Sequence, residues 1–429
     1  MKAIRIGVCV VITFAVAAHG AVEGWSVAIL ELAAAAMFLW WGVQAALGGV
    51  SEIFWSPVLW PLAGLEAIGL AQLGLRTTLY PFLTKSELLL LTSYLLLAFL
   101  AVQAFRAPNQ WRGFAWFMIW LGFVVGVFAI LQDLTFNGKL YWVREIQTSA
   151  VPFGPFVNRN HFAGLMELVI PFGLAVLGLR AALRQQLPLA GFCTAVATGA
   201  LFLSASRGGI FSFGAEVILL AAVLVLSRGE KRTLFSGLAV LAVAGALIGW
   251  LGIDQVVRRF AEIHNPEVTE ARRIEIARGA WHIFLEHPAL GTGLGTTISV
   301  FPRYETMYDG KVIDHIHNDH LELLAETGVP GGICWAAFIA LLAFFGIRNF
   351  SYARDPAVRA VHLACVVACA GLLVHGLMDF NLHIPSNALL FFILAAIGSF
   401  SPMDIAQNHA DEFGLVHAER GRNRVLAAQ

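Results

Sequence analysis

Between Asp314 and Gly332 the chain reads Asp-His-Ile-His-Asn-Asp-His-Leu-Glu-Leu-Leu-Ala-Glu-Thr-Gly-Val-Pro-Gly-Gly. Nowhere else in this otherwise apolar chain are titratable side chains so dense. Imidazoles change charge near neutral pH, so with neighbouring carboxylates they can move protons, hold a metal or simply stay solvated. Leu321, Leu324 and the Gly-Val-Pro-Gly-Gly break predict a short helix that packs one face and then stops. Its other face would carry His317, Asp319, His320, Glu322 and Glu326. His315, His317 and His320, with Asp314 or Asp319, have a spacing that could supply three metal ligands. No His-Glu-x-x-His helix of a metalloprotease is present.

Arginine supplies the other chemistry. Arg207, within Ser204-Ala205-Ser206-Arg207-Gly208-Gly209, stands at the boundary between two apolar runs. Its guanidinium can grip a phosphate in a bidentate fork, or snorkel to the interface. Gly208 and Gly209 would admit a ligand or a backbone at close range. Arg272 and Arg273 open a predicted amphipathic helix over 269–287, capped by Thr269. Its apolar stripe is Ile274, Ala277, Trp281 and Phe284 with Leu285, expected to lie on the membrane surface or the bundle roof. His287-Pro288 and Gly291-Thr292-Gly293-Leu294-Gly295 end it. That glycine run lacks a preceding strand, so it reads as a flexible turn and not as a nucleotide site. Asn158-Arg159-Asn160-His161-Phe162 is a ligand-binding run or an interfacial cap. Asp379, in Asp379-Phe380-Asn381-Leu382-His383, could orient a histidine, bind a sugar hydroxyl or close a tight turn.

The elements that position these residues are apolar. Of 429 residues, 58% are hydrophobic and only 13% charged, with a mean hydropathy of +0.74. The apolar residues come in runs of spanning length, which predicts an all-α polytopic membrane protein of about twelve helices. The runs are 4–20, 27–47, 57–75, 86–105, 114–134, 162–180, 187–204, 210–226, 233–251, 328–347, 358–378 and 385–400. The N-terminal run imitates a secretory signal but reads as a first spanning helix, because another follows at once. Lys and Arg in the short connections place both termini in the cytoplasm and the long loop 252–327 outside. Three regions result: N-terminal helices 1–150, a core 151–400, and a polar tail 401–429 expected to be disordered. The net charge is zero, and no basic stripe points to nucleic acid. The five cysteines lie in apolar runs and read as packing residues.

His317-Asn318, nine residues, then Gly328-Val329-Pro330-Gly331 resembles the signature of the O-antigen ligase and polysaccharide polymerase superfamily. The Ser-Arg-Gly-Gly run at Arg207, the arginine–helix–His-Pro–Gly-x-Gly-x-Gly order and the Asn-x-Asn-His-Phe-Ala run resemble it too. One departure is Ala277, where an aromatic is usual; Trp281 follows one turn later, leaving Arg272 or Arg273 as the matching arginine. The resemblance covers about 150–395. It implies an O-antigen ligase-like, GT-C-like membrane fold in the bacterial inner membrane, with loop helices and an active site on the periplasmic face. It implies a glycosyltransferase moving a glycan from undecaprenyl diphosphate to a sugar hydroxyl on lipid A–core or a growing polysaccharide. His317 and Asn318 would be catalytic. Arg207, Arg272, Arg273 and Arg159 would bind the donor diphosphate, and His161, Asp379 and His383 are candidate substrate contacts. No metal and no cofactor is implied, and anomeric configuration would invert. The alternatives are an O-antigen or exopolysaccharide polymerase, and a twelve-helix transporter. A transporter would show related halves and polar residues at the midplane, whereas here the polar groups crowd into outer loops.

Overall fold

Inside a hydrocarbon layer a backbone has no water to bond, so long apolar runs must satisfy their amides within helices. The computed structural model describes residues 1–50, 52–146, 151–226, 270–306 and 312–400. It is built of α1 (Lys2–Ala17), α2 (Gly24–Ala46), α3 (Leu59–Gly74), α4 (Pro81–Ala104) and α5 (Pro108–Leu134). These are followed by α6 (Arg159–Gly178), α7 (Leu187–Leu203) and α8 (Arg207–Leu226). Then come α9 (Glu270–Glu286), the one-turn α10 (Thr297–Val300), α11 (Asp319–Tyr352), α12 (Pro356–His375) and α13 (Pro385–Ser399). A two-residue antiparallel ladder pairs Lys139–Leu140 with Arg144–Glu145.

The protein is thus an all-α polytopic membrane protein. Among the described residues, 8 helices are long and apolar enough to cross a bilayer. Every apolar run in the sequence coincides with a helix except 233–251, which lies outside the described residues, as do 252–269 and 307–311 of the long loop and the tail from 401. The helices α1, α3 and α13, of 16, 16 and 15 residues, are not among those eight. All five cysteines are free thiols within helices, three of them buried.

The centre is α6, α12 and α13. Nearly every residue of α6 is buried, and α12 packs against α5, α6, α8, α11 and α13. Small residues allow this closeness. A Cβ on Gly346 of α11 would stand 2.2 Å from Val366, and one on Gly398 of α13 2.8 Å from Cys365.

The short helix expected after His317 is present, but it does not stop. At Gly328 the backbone turns left-handed (φ 65°, ψ −162°), and α11 continues for 34 residues in all. Residues 319–327 form an outer arm, and the remainder crosses the bundle.

The Gly-x-Gly-x-Gly segment is no flexible turn; it is clamped on that kink. Thr292 and Gly293 donate to the carbonyls of Ala325 and Glu326 at 3.2 and 3.0 Å. Gly291 sits at φ 69°, and a Cβ there would fall 2.2 Å from the Glu326 backbone, so only glycine fits. Gln72 of α3, fully buried, donates to the Leu290 and Glu326 carbonyls and accepts from Leu294 N–H.

Helix α9 presents the opposite face to the one expected. Ile276, Ala280 and Ile283 are buried against Val300, Phe301, Ile316 and Ala325. Ile274, Trp281 and Leu285 are exposed. The helix carries two apolar faces, and the one that docks is the one that meets the Phe301 and Ile316 side chains.

Candidate active site

Four helix ends meet around the Asp379 carboxylate: the N-termini of α6, α8 and α11 and the C-terminus of α12. Each N-terminus is capped by a short polar side chain, which fixes where the helix begins. Asn158 accepts from Asn160 N–H at 2.9 Å, Ser206 Oγ from Gly209 N–H at 3.2 Å, and Asn318 Oδ1 from Leu321 N–H at 3.0 Å. The α11 end is tied to α12 by Asp319 N–H donating to the Gly376 carbonyl at 2.8 Å.

A polar chain runs between these ends. Ser206 Oγ donates to Asn160 Oδ1 at 2.8 Å, and the Asn160 amide donates to Asp379 Oδ2. Asp379 Oδ1 accepts from Phe380 N–H at 2.9 Å and lies 3.4 Å from Nδ1 of His317. That last contact is an ion-pair distance without hydrogen-bond alignment. Burial alone would raise the Asp379 carboxyl, but the imidazoles of His317, His161 and His375 outweigh it and hold it below the ordinary carboxylate range. His317 has φ 55°, a backbone conformation that costs energy and is kept where surrounding structure enforces it. Its side chain keeps 20% of its exposure, although Nδ1 is buried.

Phe380 is the platform. His317 and His161 meet its ring edge-on, both at 5.0 Å, and His315 stacks on it at 4.7 Å. His161 is buried, so it supports the platform and does not face the outside.

The predicted residues are therefore sorted by position. His317 and Asp379 stand together. Asn318 is next to them, but its amide is engaged as the α11 cap and with the Leu377 carbonyl. Arg207, the first residue of α8, is exposed and directly follows Ser206; Arg159 neighbours Asn160 in the same way. Arg273 is exposed. Arg272 is buried, its guanidinium held by Glu275 and Glu305, so it ties α9 to the segment after it. His383 is a buttress: its Nδ1 is 3.0 Å from Asp319 Oδ1 and its Nε2 3.5 Å from Glu322 Oε1. Burial would lower the His383 imidazole, yet the Glu322 and Asp319 carboxylates raise it well above the ordinary value.

His315, His317 and His320 do not converge. His320 turns away, accepting from Trp335 Nε1–H at 2.8 Å and bonding the Leu373 carbonyl at 2.8 Å. Nor is the acidic face of the outer arm wet: Asp319, Glu322 and Glu326 are all buried. Glu326 accepts from Gly295 and Thr297 N–H groups, capping α10.

Asn160 and Ser206 lay within quoted motifs, but nothing in the sequence marked them as the link between these segments. A second omission is the pair Glu167–His375, with Oε1 and Nδ1 2.8 Å apart, fully buried between α6 and α12. Glu216 of α8 is buried there too. The polar groups are therefore not confined to outer loops. Lone charged residues inside apolar runs were the available signal. Gly208 and Gly209 serve this packing: Cβ atoms there would stand 2.6 Å from His375 and 2.5 Å from Ala163.

Residues 192–336 match the family described as O-antigen ligase. The chain is 24% identical over 298 residues to the O-antigen ligase of Pseudomonas aeruginosa, an alignment covering 68% of this chain and 64% of that protein. It is 26% identical over 193 residues to the teichuronic acid biosynthesis protein TuaE of Bacillus subtilis, covering 42% and 37%. The chain thus spans under two thirds of the length of both relatives.

Proposed function

We propose, from the premise that the chain belongs to the O-antigen ligase family, that this multi-pass bacterial membrane protein is a glycosyltransferase of ligase type. It would move a glycan from undecaprenyl diphosphate to a sugar hydroxyl, with the site on the outer face of the inner membrane and both termini in the cytoplasm. The family supports glycan processing at a membrane; the donor, the acceptor and the chemistry are our reading.

The observation that carries it is the chain Ser206–Asn160–Asp379–His317, which joins the arginine motif to the histidine motif at one end of the bundle. In the proposed step the acceptor oxygen attacks the anomeric carbon from the face opposite the diphosphate. His317 Nε2 takes the hydroxyl proton as the new C–O bond forms. The bond from the anomeric carbon to the phosphate oxygen breaks, and the diphosphate leaves with the electron pair. Configuration inverts. Asp379, ionised beside Nδ1, stabilises the imidazolium that forms. Arg207 and Arg273, both exposed, neutralise the leaving diphosphate, with Arg159 at the entrance. Arg272 is assigned a structural part. Asn318 acts by fixing the start of α11 beside His317; His161 and His383 act by holding Phe380 and the outer arm. The transfer itself is proposed to need no metal or cofactor, since diphosphate is already a good leaving group.

Polymerase chemistry would use the same step with a growing polysaccharide as partner in place of lipid A–core. Lipid-linked glycans from a deletion strain separate the readings. Loss of a ligase strands long chains on undecaprenyl diphosphate, whereas loss of a polymerase leaves single repeats on the acceptor. Unchanged glycans would favour the transporter and remove the proposal.

A further inference from the structure

Beside His317 lies a second convergence that the transfer step does not use. His315, Glu322 and His383 each offer one ligand atom, and these atoms all lie within 4.8 Å of one another. They come from three separate segments: the loop before α11, α11 itself and the turn before α13. His315 Nδ1 is 2.9 Å from Glu322 Oε1, and His383 Nε2 is 3.5 Å from the same oxygen. The two imidazole centroids are 4.3 Å apart. A cation among them would take one nitrogen of each ring and Glu322 Oε1.

The groups behind these atoms favour the same reading. Asp319 Oδ1 accepts from His383 Nδ1 at 3.0 Å, which fixes the tautomer and turns the Nε2 lone pair inward. A carboxylate on the outer nitrogen is the usual support of a metal-bound histidine. Asp319 is itself anchored by Leu382 N–H at 3.2 Å. The second Glu322 oxygen takes Ile316 N–H at 2.8 Å, leaving Oε1 aimed at the rings. Glu322 is 1% exposed, and a buried carboxylate requires a counter-charge.

We propose that His315, Glu322 and His383 bind one divalent transition-metal cation. Two imidazoles and one carboxylate suit zinc best, with water as a fourth ligand. The ion clamps the loop before α11 and the turn after Asp379 onto the outer arm, next to His317 and Asp379. Neither of those residues is a ligand. The proposal stands apart from the glycosyl-transfer reading, and it replaces the three-histidine set with one that the fold brings together.

The test uses the full chain, purified in detergent and stripped with chelator, then titrated with zinc chloride. One equivalent should bind, and zinc should raise the thermal unfolding temperature, as any ligand of the native state does. His315→Ala, at a partly exposed position, should fold normally yet lose both the equivalent and the thermal shift. Asp319→Asn should weaken affinity about 10- to 100-fold. His320→Ala should bind as the unaltered protein does. Absence of stoichiometric zinc, or full binding by His315→Ala, would overturn the proposal and leave an ion-pair network alone.

Discussion

Replacing Asp379 with asparagine changes one atom type at the centre of the site. The carboxylate lies 3.4 Å from His317 Nδ1. At that distance and an effective dielectric of about 20, an imidazolium–carboxylate pair is worth up to about 5 kcal/mol. His317 keeps 20% of its side-chain exposure, so solvent screens part of this. Roughly half, about 2.7 kcal/mol, corresponds to about a hundredfold in rate. A second effect acts in the same direction. Asp379 Oδ2 accepts from Asn160 and Oδ1 from Phe380 N–H, so an asparagine, with one acceptor, must set its NH2 against one of these donors and lose a hydrogen bond. With the NH2 at the Oδ1 position it also faces His317 Nδ1 as a donor, which favours the tautomer with the proton on Nε2, and a protonated Nε2 cannot take the acceptor hydroxyl's proton. Asp379→Asn should therefore lower kcat by about 10² or more, with normal abundance in the membrane and little change in KM for the lipid-linked donor. The assay is transfer from a purified polyprenyl-diphosphate-linked glycan by protein in detergent. Full activity in Asp379→Asn, with His317→Ala inactive, would refute the pairing and leave His317 acting alone.

Other outcomes follow from the same geometry. His317→Ala should cost about 10² to 10⁴ in rate while donor binding persists; full activity would remove the base. Arg207→Lys keeps the charge but loses the planar fork, so transfer should fall, and Arg207→Ala should be worse at equal protein level; an active lysine variant would make Arg207 an interfacial anchor. Gln72→Ala removes three hydrogen bonds, one buried and two part-buried, at the α11 kink and should destabilise by about 3 kcal/mol, read as a lower unfolding temperature. Asp379 has a folded pKa below its unfolded value, so its stabilising contribution is present above about pH 4 and is lost as pH falls through the folded value. The unfolding temperatures of the unaltered protein and Asp379→Asn should accordingly converge in acid. A reporter at Asn265 should read as external and one at Gln429 as cytoplasmic.

Helix positions were legible because each span satisfies its own backbone and declares itself by local hydropathy. His317 was legible for a related reason: the histidine, the cap Asn318 and the break at Gly328 lie within one short stretch. What the pattern could not show were pairings across long separations. Asp379 is a turn residue by sequence and becomes a partner of His317 only because α12 ends where α11 begins. Asn160 is one of several outer asparagines until Ser206 and Asp379 bond its two amide ends. Arg272 and Arg273 are indistinguishable in sequence, and the register of α9 buries the first between Glu275 and Glu305 and leaves the second exposed. Helix α9 has apolar side chains on two faces: Ile276, Ala280 and Ile283 dock at Phe301 and Ile316, and Ile274, Trp281 and Leu285 of the expected stripe stay exposed. The acidic residues of the outer arm read as solvated because their partners, His383 and the 291–297 turn, come from elsewhere.

The arrangement would also suit the anionic substrate proposed for this end of the bundle. The N-termini of α6, α8 and α11 each leave amide groups without intrahelical partners, with partial positive charge. Asn158, Ser206 and Asn318 cap some of these and are neutral; the first turn of α11 also carries the carboxylates of Asp319 and Glu322, whereas those of α6 and α8 carry none. Asp379 is the buried carboxylate that these ends surround, and the imidazoles beside it help to keep it ionised. Arg207 continues the same positive field outward from the first turn of α8, where its side chain is exposed. In the reaction proposed above, a diphosphate arriving there would meet helix ends and guanidinium together, while the hydroxyl that displaces it would meet His317. Removing a capping side chain such as Ser206 would therefore disturb both halves of the reaction, because Ser206 supports Asn160 on one side and starts the helix of Arg207 on the other.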